Sequence, residues 1–328
     1  MVRQFLRSTT SSLLFCVAVA LGIITASPAM AASVPESPDP IVIGKLDWTG
    51  QEITAEVAGE ILRRMGYNVQ FVQTTQVPMF QAVADGQLAA YLEQWNQTSK
   101  KYYDEYTKDG RIEGLGPIGL DGQEGWYYPD YVAEKCPGLP DWTALKACAA
   151  IFATPDTAPQ GRLLDYPAEW SPDSADWAKA LGLELTAVPS GGEGSTAAEV
   201  KSAVARKEPI LLQWWEPTWL ASIYNLKRVT LDSTNEACDK ATAAGIKTHK
   251  AFDCRNQPIE IVKVAWPGLK DKWPAAYKFL KAFKMTNDIQ GPMAMAVETE
   301  GKKASEVAKK WVDESEAIWK VWVDQATQ

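Results

Sequence analysis

Between residues 41 and 95, three short apolar runs alternate with two segments of helical character. The runs IVIGKLDW, YNVQFVQT and LAAYLEQW are typical of strands, whereas ITAEVAGEILRRMG and VPMFQAVADG are typical of helices that end at Gly66 and Gly86. This order predicts an open, mostly parallel sheet with crossover helices. Ligands of such sheets bind beyond the carboxyl ends of the strands, and Trp48 and Trp95 both fall there.

A second α/β unit begins near Gly116. The runs LELTAVPS and PILLQWWEP predict strands on either side of the helix TAAEVKSAVARK, and the glycine-rich loop SGGEGS precedes that helix. IEIVKVAW predicts one more strand. The rest of the chain predicts helices at DKWPAAYKFLKAF and KASEVAKKWVDESEAIWKVWVDQ, with a methionine-rich turn between them. The predicted fold class is therefore α/β, built from two units.

The first 31 residues have the features of a secretory signal peptide. Arg3 and Arg7 precede the apolar stretch Leu13–Ile24, and the small-x-small sequence at 29–31 predicts cleavage before Ala32. The apolar stretch is short for a membrane span, and no later segment is apolar enough to cross a bilayer. We therefore expect a soluble protein that is exported to the periplasm.

Four cysteines remain after this cleavage, and an even number in an exported chain suggests disulfides. The local pairs Cys136–Cys148 and Cys238–Cys254 are the simplest of the three connectivities that four cysteines allow. Neither the cysteine spacing nor the single histidine, His249, suits a zinc site. One histidine also makes a Ser–His–Asp triad poorly credible. No metal and no cofactor are predicted.

The formal net charge is -8 at pH 7. Nucleic-acid-binding proteins need basic grooves, and anionic lipid surfaces attract basic proteins. This charge therefore argues against both nucleic acid and an anionic membrane surface as partners.

The chain contains 14 tryptophans, several of them at predicted strand ends. The π-face of tryptophan is well suited to hold a cation that cannot donate hydrogen bonds, so converging faces would box a quaternary ammonium group. Core packing and a sugar-stacking platform are the alternatives. Core packing is our interpretation of Trp214, Trp219, Trp311, Trp319 and Trp322, the last three of which share one helical face.

The segments IGKLDWTGQEITAEVAGEILRRMGYNV, DGQLAAYLEQW and PILLQWWEPTW, in that order, resemble the substrate-binding proteins of ABC transporters for glycine betaine and related quaternary amines. The resemblance extends from about residue 41 to the end of the chain. It implies a two-lobed periplasmic-binding-protein fold, each lobe a mostly parallel sheet flanked by helices. Residues 41–118 and 257–328 would form lobe I, residues 119–256 would form lobe II, and the ligand would lie in the cleft between them.

The resemblance also implies a monomeric extracytoplasmic receptor and not an enzyme. Such a receptor would bind a small onium osmolyte such as glycine betaine, choline, trimethylamine N-oxide or dimethylsulfoniopropionate. It would deliver this solute to an inner-membrane ABC permease with its ATPase. Because both lobes would contribute walls of the site, bound solute would favour the closed state.

By resemblance, four tryptophans form the ligand box, two from each lobe. Trp95 matches the box tryptophan after the third strand, and Trp215 matches that of the second lobe. Trp48 matches the first-strand tryptophan of choline-type relatives, and Trp126 stands where those relatives carry a tyrosine. The loop TPDTAPQGR lacks the tryptophan that some betaine binders carry there, and Pro159 has no N–H to donate. Recognition of a ligand carboxylate by this loop therefore stays an open question.

Several acidic residues lie near the expected box, and we select Glu93 and Glu124 as ligand-binding candidates. Either carboxyl group could face the ammonium, or donate as a protonated acid to an N-oxide oxygen. Such a group would suit choline, carnitine or trimethylamine N-oxide better than glycine betaine. Hydrogen bonding to loop backbone or to solvent is the alternative for each of them.

Two other functional classes compete with the receptor. A secreted carbohydrate-active enzyme would stack sugars on tryptophan and use two carboxylates on the glycosidic bond. A thiol–disulfide exchange protein would need a close pair such as C-x-x-C, which this sequence lacks. The strand order and the tryptophans at strand ends favour the receptor.

Overall fold

The structure, a computed structural model, describes residues 34–96, 99–170, 172–231 and 259–328. The predicted signal peptide, His249 and the predicted disulfide Cys238–Cys254 lie outside these residues. Two five-stranded sheets organise the described part of the chain. Their strands, numbered in chain order, are β1 Ile41–Lys45, β2 Val69–Gln73, β3 Ala90–Trp95, β4 Glu113–Pro117, β5 Gln123–Pro129, β6 Gly161–Asp165, β7 Leu185–Pro189, β8 Leu211–Glu216, β9 Leu226–Arg228 and β10 Ile261–Ala265.

Helices pack against both sheets. The α-helices of the described residues are Thr49–Arg64, Gln76–Ala84, Lys100–Lys108, Leu145–Cys148, Ser174–Leu181, Glu193–Arg206, Trp219–Ile223, Leu269–Lys272, Pro274–Ala282, Asn287–Glu300, Ala304–Glu314 and Glu316–Thr327. Short 3₁₀ turns lie at Asp130–Glu134, Trp142–Ala144, Ala149–Phe152 and Ala168–Trp170.

The two sheets share one topology, with strand orders β2-β1-β3-β10-β4 and β7-β6-β8-β5-β9. In each sheet, four of the five strands run in the same direction. The remaining strand, which stands fourth in the strand order, runs antiparallel to both of its neighbours. That strand is β10 in the first sheet and β5 in the second. We name the part of the chain that carries the first sheet lobe I, and the part that carries the second sheet lobe II.

The chain passes between the lobes beside the end of β3. Gly122, which precedes β5, forms an antiparallel bridge with Ile259, which precedes β10. A Cβ atom at Gly122 would lie 2.6 Å from a ring atom of Trp95 and 2.7 Å from Ile261. Only glycine allows so close an approach. The two crossing segments are therefore held against the strand end that carries Trp95.

Several elements differ from the sequence-based prediction. The first helix begins at Thr49, directly after Trp48, and not near Thr54. The expected methionine-rich turn is instead part of the helix Asn287–Glu300. The expected long C-terminal helix is interrupted at Ser315, so Trp311 does not share one continuous helix with Trp319 and Trp322. Local periodicity predicted helix in this region, but it did not locate the breaks.

One hydrophobic cluster extends through lobe I and into lobe II, where it includes Trp170 and Trp215, and a second cluster lies within lobe II alone. In lobe II a cluster around Trp126 includes both halves of the disulfide Cys136–Cys148, whose Cα atoms are 5.5 Å apart. This disulfide confirms one of the two predicted pairs. Among the residues described, the structure shows no helix that combines the length and the apolar character needed to span a membrane.

Candidate functional site

A cavity of about 30 Å³ lies between the two lobes. Aromatic side chains form most of its wall, and three polar side chains complete it. The lining residues, four from each lobe, are Trp48, Gln76, Trp95 and Ser99 of lobe I and Glu124, Tyr166, Trp170 and Trp215 of lobe II. The two lobes therefore build equal halves of one enclosure.

The aromatic residues reach the cavity because the carboxyl ends of the parallel strands face it. Trp95 is the last residue of β3, and Tyr166 directly follows β6. Trp215 is the penultimate residue of β8, and Trp48 comes three residues after β1. This is the edge at which open α/β sheets bind ligands. The site thus follows from the topology of both sheets.

In lobe I, the carboxylate of Glu93 fixes the two cavity tryptophans. Its Oε1 accepts hydrogen bonds from the indole Nε1 of Trp48 and of Trp95, each at 3.1 Å. Its Oε2 accepts from Thr54 Oγ1 and from Gln290 Nε2, each at 3.0 Å. One buried carboxyl group therefore collects four donors and sets the orientation of both indoles.

Glu93 is 1% exposed and lies behind these indoles. Burial raises the pKa of its carboxyl group, whereas the hydrogen bonds from Trp48, Trp95, Thr54 and Gln290 oppose that rise. The four donors all favour the ionised form. An ionised carboxylate that is hydrogen-bonded to both indole N–H groups would add to the attraction of the cavity for a cation.

In lobe II, ring contacts position the aromatic side chains. The Trp170 ring centroid lies 5.3 Å from that of Tyr166 and 6.0 Å from that of Trp215. Tyr166 and Trp215 are 5.8 Å apart in an edge-on arrangement. Behind them, Trp214 stacks on Trp215 at 4.1 Å, and its indole donates to Thr218 Oγ1 at 2.8 Å. The edge-on arrangement, which Trp215 makes with both Tyr166 and Trp170, is a favourable one for aromatic pairs.

The two aromatic halves meet directly. The rings of Trp48 and Trp170, one from each lobe, lie 5.2 Å apart at an interplanar angle of 71°. Each of these tryptophans is 7% exposed. Asp47, next to Trp48, also faces lobe II, where Trp170 and Glu169 act on its pKa. Burial is the largest cause and raises the pKa of Asp47, and the negative charge of Glu169 raises it further.

Trp126, predicted from the family resemblance as a box residue, lies elsewhere. Its side chain is fully buried in the lobe II cluster, and its indole lies 3.4 Å from Ser174 Oγ. The reason is the direction of β5, which runs away from the cavity edge because it is antiparallel to its neighbours. Glu124 stands near that edge, opposite Trp215, whereas Trp126 stands two residues deeper, roughly 7 Å further along the strand.

The same geometry separates the two acidic candidates. Glu124, at the start of β5, lines the cavity and is 5% exposed. Glu93 lies two residues before the end of β3 and does not line it. Glu93 therefore acts on the cavity through the indoles that it holds, whereas Glu124 faces the interior.

Sequence reasoning missed four lining residues. Tyr166 and Trp170 follow β6, a strand that was not recognised in the sequence GRLLD. The rule that located Trp48 and Trp95 would also have located Tyr166 had that strand been assigned. Gln76 and Ser99 have no comparable signal in the sequence.

A polar network accompanies the aromatic wall in lobe I. Gln76 Nε2 donates to Ser99 Oγ at 3.2 Å and to Gln94 Oε1 at 3.1 Å. Gln94 Nε2 in turn donates to Ser99 Oγ at 2.8 Å. The loop residues Thr157 and Pro159 are not among the lining residues. Polar atoms of a ligand would therefore meet Gln76, Ser99 and Glu124.

Within the described ranges, no group of three or more histidine, cysteine, aspartate or glutamate side chains is arranged to hold a metal ion. The chemistry available in the cavity is therefore that of aromatic faces, two neutral polar groups and one carboxyl group.

Comparison with known proteins places this geometry in a family. The model of the substrate-binding domain of the ABC-type glycine betaine transport system matches residues 39–314. The chain is 29% identical over 307 residues to the trimethylamine N-oxide-binding protein of Pelagibacter ubique (strain HTCC1062). The aligned region covers 92% of this chain and 96% of that protein.

Solved structures show the same fold. The glycine betaine/L-proline-binding protein ProX of Borrelia burgdorferi matches with a TM-score of 0.71 at 22% identity, over 88% of this chain and 98% of that one. Lactococcal OpuAC, in its closed-liganded conformation with glycine betaine, matches with a TM-score of 0.68 at 20% identity, over 87% of this chain and 99% of that one.

These findings confirm the predicted two-lobed periplasmic-binding-protein fold and the predicted resemblance. The relatives are solute-binding proteins of ABC transporters and not enzymes, so the carbohydrate-active alternative receives no support. The chain belongs to the family of substrate-binding domains of ABC-type glycine betaine transport systems.

Proposed function

We propose that this protein captures a small onium solute in the cavity between its lobes, and that the aromatic walls hold the methylated cationic head. The observation that carries this proposal is the enclosure of one cavity by Trp48, Trp95, Tyr166, Trp170 and Trp215. We call these five residues the aromatic cage. Each desolvated cation–π contact contributes up to ~2 kcal/mol, so several faces acting together supply enough energy for micromolar binding.

Glu124 favours solutes without an anionic tail. Its carboxyl group lines the cavity opposite Trp215 in the strand register. It would attract a cation, or as a protonated acid it would donate to an N-oxide oxygen. The carboxylate of glycine betaine would instead meet a like charge there. Trimethylamine N-oxide and choline are therefore the preferred solutes, with the sulfonium compound dimethylsulfoniopropionate and glycine betaine binding more weakly.

The cellular role follows from the family. Its members bind a small solute for an ABC permease. The present protein would act as an exported, periplasmic monomer that closes on its solute and passes it to a permease driven by an ATPase. The domain limits proposed from the sequence, 41–118 plus 257–328 for lobe I and 119–256 for lobe II, would be the units that move.

Isothermal titration calorimetry with trimethylamine N-oxide, choline, glycine betaine and dimethylsulfoniopropionate tests the solute class. We expect saturable binding of at least one of these compounds, with trimethylamine N-oxide or choline tightest. Absence of binding to all four would refute the proposal.

Three substitutions test the site. Trp95→Ala and Trp215→Ala should each lower affinity by roughly 100-fold, because each removes one aromatic face from the wall of the cavity. Trp142→Ala, which removes a half-buried tryptophan of lobe II outside the cavity, is the matched control and should bind normally.

The charge at position 124 tests the choice among solutes. Glu124→Gln keeps the shape of the side chain and removes its charge. It should weaken binding of choline or trimethylamine N-oxide by about tenfold and improve the relative binding of glycine betaine. An unchanged order of affinities would show that Glu124 does not choose among these solutes.

A further inference from the structure

One contact between the lobes lies directly beside the cage and does not belong to it. The helix Thr49–Arg64 starts immediately after Trp48, and no side chain of its own N-terminal turn caps it. Its first backbone N–H, from Thr49, donates instead to Glu193 Oε2 of lobe II at 2.8 Å. The first N–H groups of a helix have no acceptor within the helix, and an oxygen of a side-chain carboxyl group can accept from them. Lobe II thus supplies the missing cap of a lobe I helix.

Glu193 is held firmly in this position. It is the first residue of the helix Glu193–Arg206 and is 6% exposed. Its other oxygen, Oε1, accepts a hydrogen bond from the indole of Trp219 at 3.0 Å. Both carboxylate oxygens are therefore engaged, one within lobe II and one across the cleft.

The glycine-rich loop in front of Glu193 permits the close approach of the lobes. Gly192 has a φ of +125°, a backbone conformation that favours glycine. A Cβ atom at Gly192 would lie 3.3 Å from Asp47 Oδ2 of lobe I. A side chain at this position would press directly on the segment that leads to Trp48. The glycine residues in front of this helix therefore let the Glu193 carboxyl group reach the other lobe without steric obstruction.

We propose that Glu193 is a positioning residue that retains the closed arrangement of the lobes by capping the helix that follows the cage residue Trp48. This inference rests on the proposed solute-binding function. In this proposal Glu193 lengthens the lifetime of the closed complex, whereas the aromatic cage recognises the cationic head of the solute. Opening of the lobes would break the Thr49–Glu193 bond and leave the Trp219–Glu193 bond intact.

The dissociation rate of the tightest solute, measured by stopped-flow tryptophan fluorescence, tests this role. Glu193→Ala should raise that rate roughly tenfold, leave the association rate within about threefold, and preserve the order of affinities among solutes. Glu193→Gln retains a neutral acceptor for Thr49 N–H and should restore most of the slow dissociation. Glu199→Gln, on the same helix and paired with Arg162, is the control and should match the wild type.

The pH dependence of dissociation provides a second measurement. Burial raises the pKa of Glu193 to about 7, the N–H of Thr49 opposes that rise, and the charge of Glu298 adds to it. The groups that face Glu193 from lobe I are Glu298 and, beside Gly192, Asp47, both of them acidic. Opening of the lobes would expose this carboxyl group to water and return its pKa towards the ordinary value, so closure favours the protonated carboxyl. Closure is therefore strongest at acidic pH and weakens as the pH rises towards and through 7.

We accordingly expect the dissociation rate of the wild type to increase between pH 5 and pH 8. Glu193→Gln should lose more than half of this increase. The part that remains would come from titration of Asp47. Two results would overturn the proposal: wild-type dissociation kinetics in Glu193→Ala, or full pH dependence in Glu193→Gln. If Glu193→Ala does not fold, the pH dependence of dissociation in the wild type and in Glu193→Gln still tests the proposal. Failure of the proposed function is a separate result, since wild-type protein would then bind no solute of the panel.

Discussion

The two halves of the aromatic cage are held in place by different interactions. In lobe I, hydrogen bonds from Trp48 and Trp95 to the buried carboxylate of Glu93 fix the indoles. In lobe II, Trp170 and Trp215 are fixed by ring contacts with each other and with Tyr166. The first half depends on one polar group, whereas the second distributes its support over several apolar contacts. Substitutions that keep most of the side chain but remove a polar contact should therefore damage lobe I more than lobe II.

The largest effect should follow from Glu93→Gln. The amide keeps the volume of the side chain, but it replaces one acceptor oxygen with a donor and removes the charge behind the indoles. A hydrogen bond to a charged group contributes about 1.5–3 kcal/mol, so we expect roughly 100-fold weaker binding by calorimetry. Glu56→Gln is the matched control, because Glu56 is another buried lobe I carboxylate, paired with Lys45 outside the cavity. Equal affinities in the two variants would contradict the difference between the halves.

A pair of identical substitutions compares the halves more directly. Trp95→Phe removes the indole N–H that bonds Glu93, whereas Trp215→Phe reduces ring area in a stack of aromatic side chains. Titration should show about tenfold weaker binding for Trp95→Phe and about threefold for Trp215→Phe. The reverse order would mean that ring area, and not the polar anchor, dominates the cage.

The disulfide of lobe II should matter for stability and little for binding. Replacing Cys136 and Cys148 together by alanine releases a loop of sequence separation 12. In the chain-entropy description this costs about 3 kcal/mol of the free energy of unfolding. Urea denaturation should detect that loss, while the solute affinity stays within about threefold of the wild type. A large loss of affinity would instead connect this loop to the cavity.

Trp126→Phe should have the smallest effect on binding. Trp126 packs in the lobe II cluster away from the cavity, so its replacement should lower thermal stability modestly and change affinity less than twofold. Thermal unfolding and calorimetry on one preparation would measure both quantities. Loss of binding without loss of stability would return Trp126 to the site.

Much of the fold could be predicted from the sequence, because apolar runs and helical periodicity are local properties. The strand ends that carry Trp48, Trp95 and Trp215 were found in this way, and all three line the cavity. Strand direction was the missing information. Trp126 and Glu124 lie on the one antiparallel strand of their sheet, so distance from the cavity increases along β5, whereas along β3 it decreases towards Trp95.

The contacts that give Glu93 and Glu193 their roles could not be predicted, because they join residues that are far apart in the chain. Glu93 and Gln290 are joined by a hydrogen bond across 197 positions. Glu193 and Thr49 are joined across 144 positions. No local pattern marks a carboxylate for such a partner.

The position of β10 in the sheet of lobe I also bears on how the chain acquires its structure. β10, which lies between β3 and β4 in lobe I, follows all of lobe II in the sequence. Its partner residues Ile261 and Trp95 are more than 160 positions apart. Lobe II is nearly continuous in the sequence and can fold without β10, whereas the sheet of lobe I is incomplete between β3 and β4 until β10 is added. We therefore expect lobe II to form first, and the strand end that carries Trp95 to be among the last parts of the molecule to become ordered.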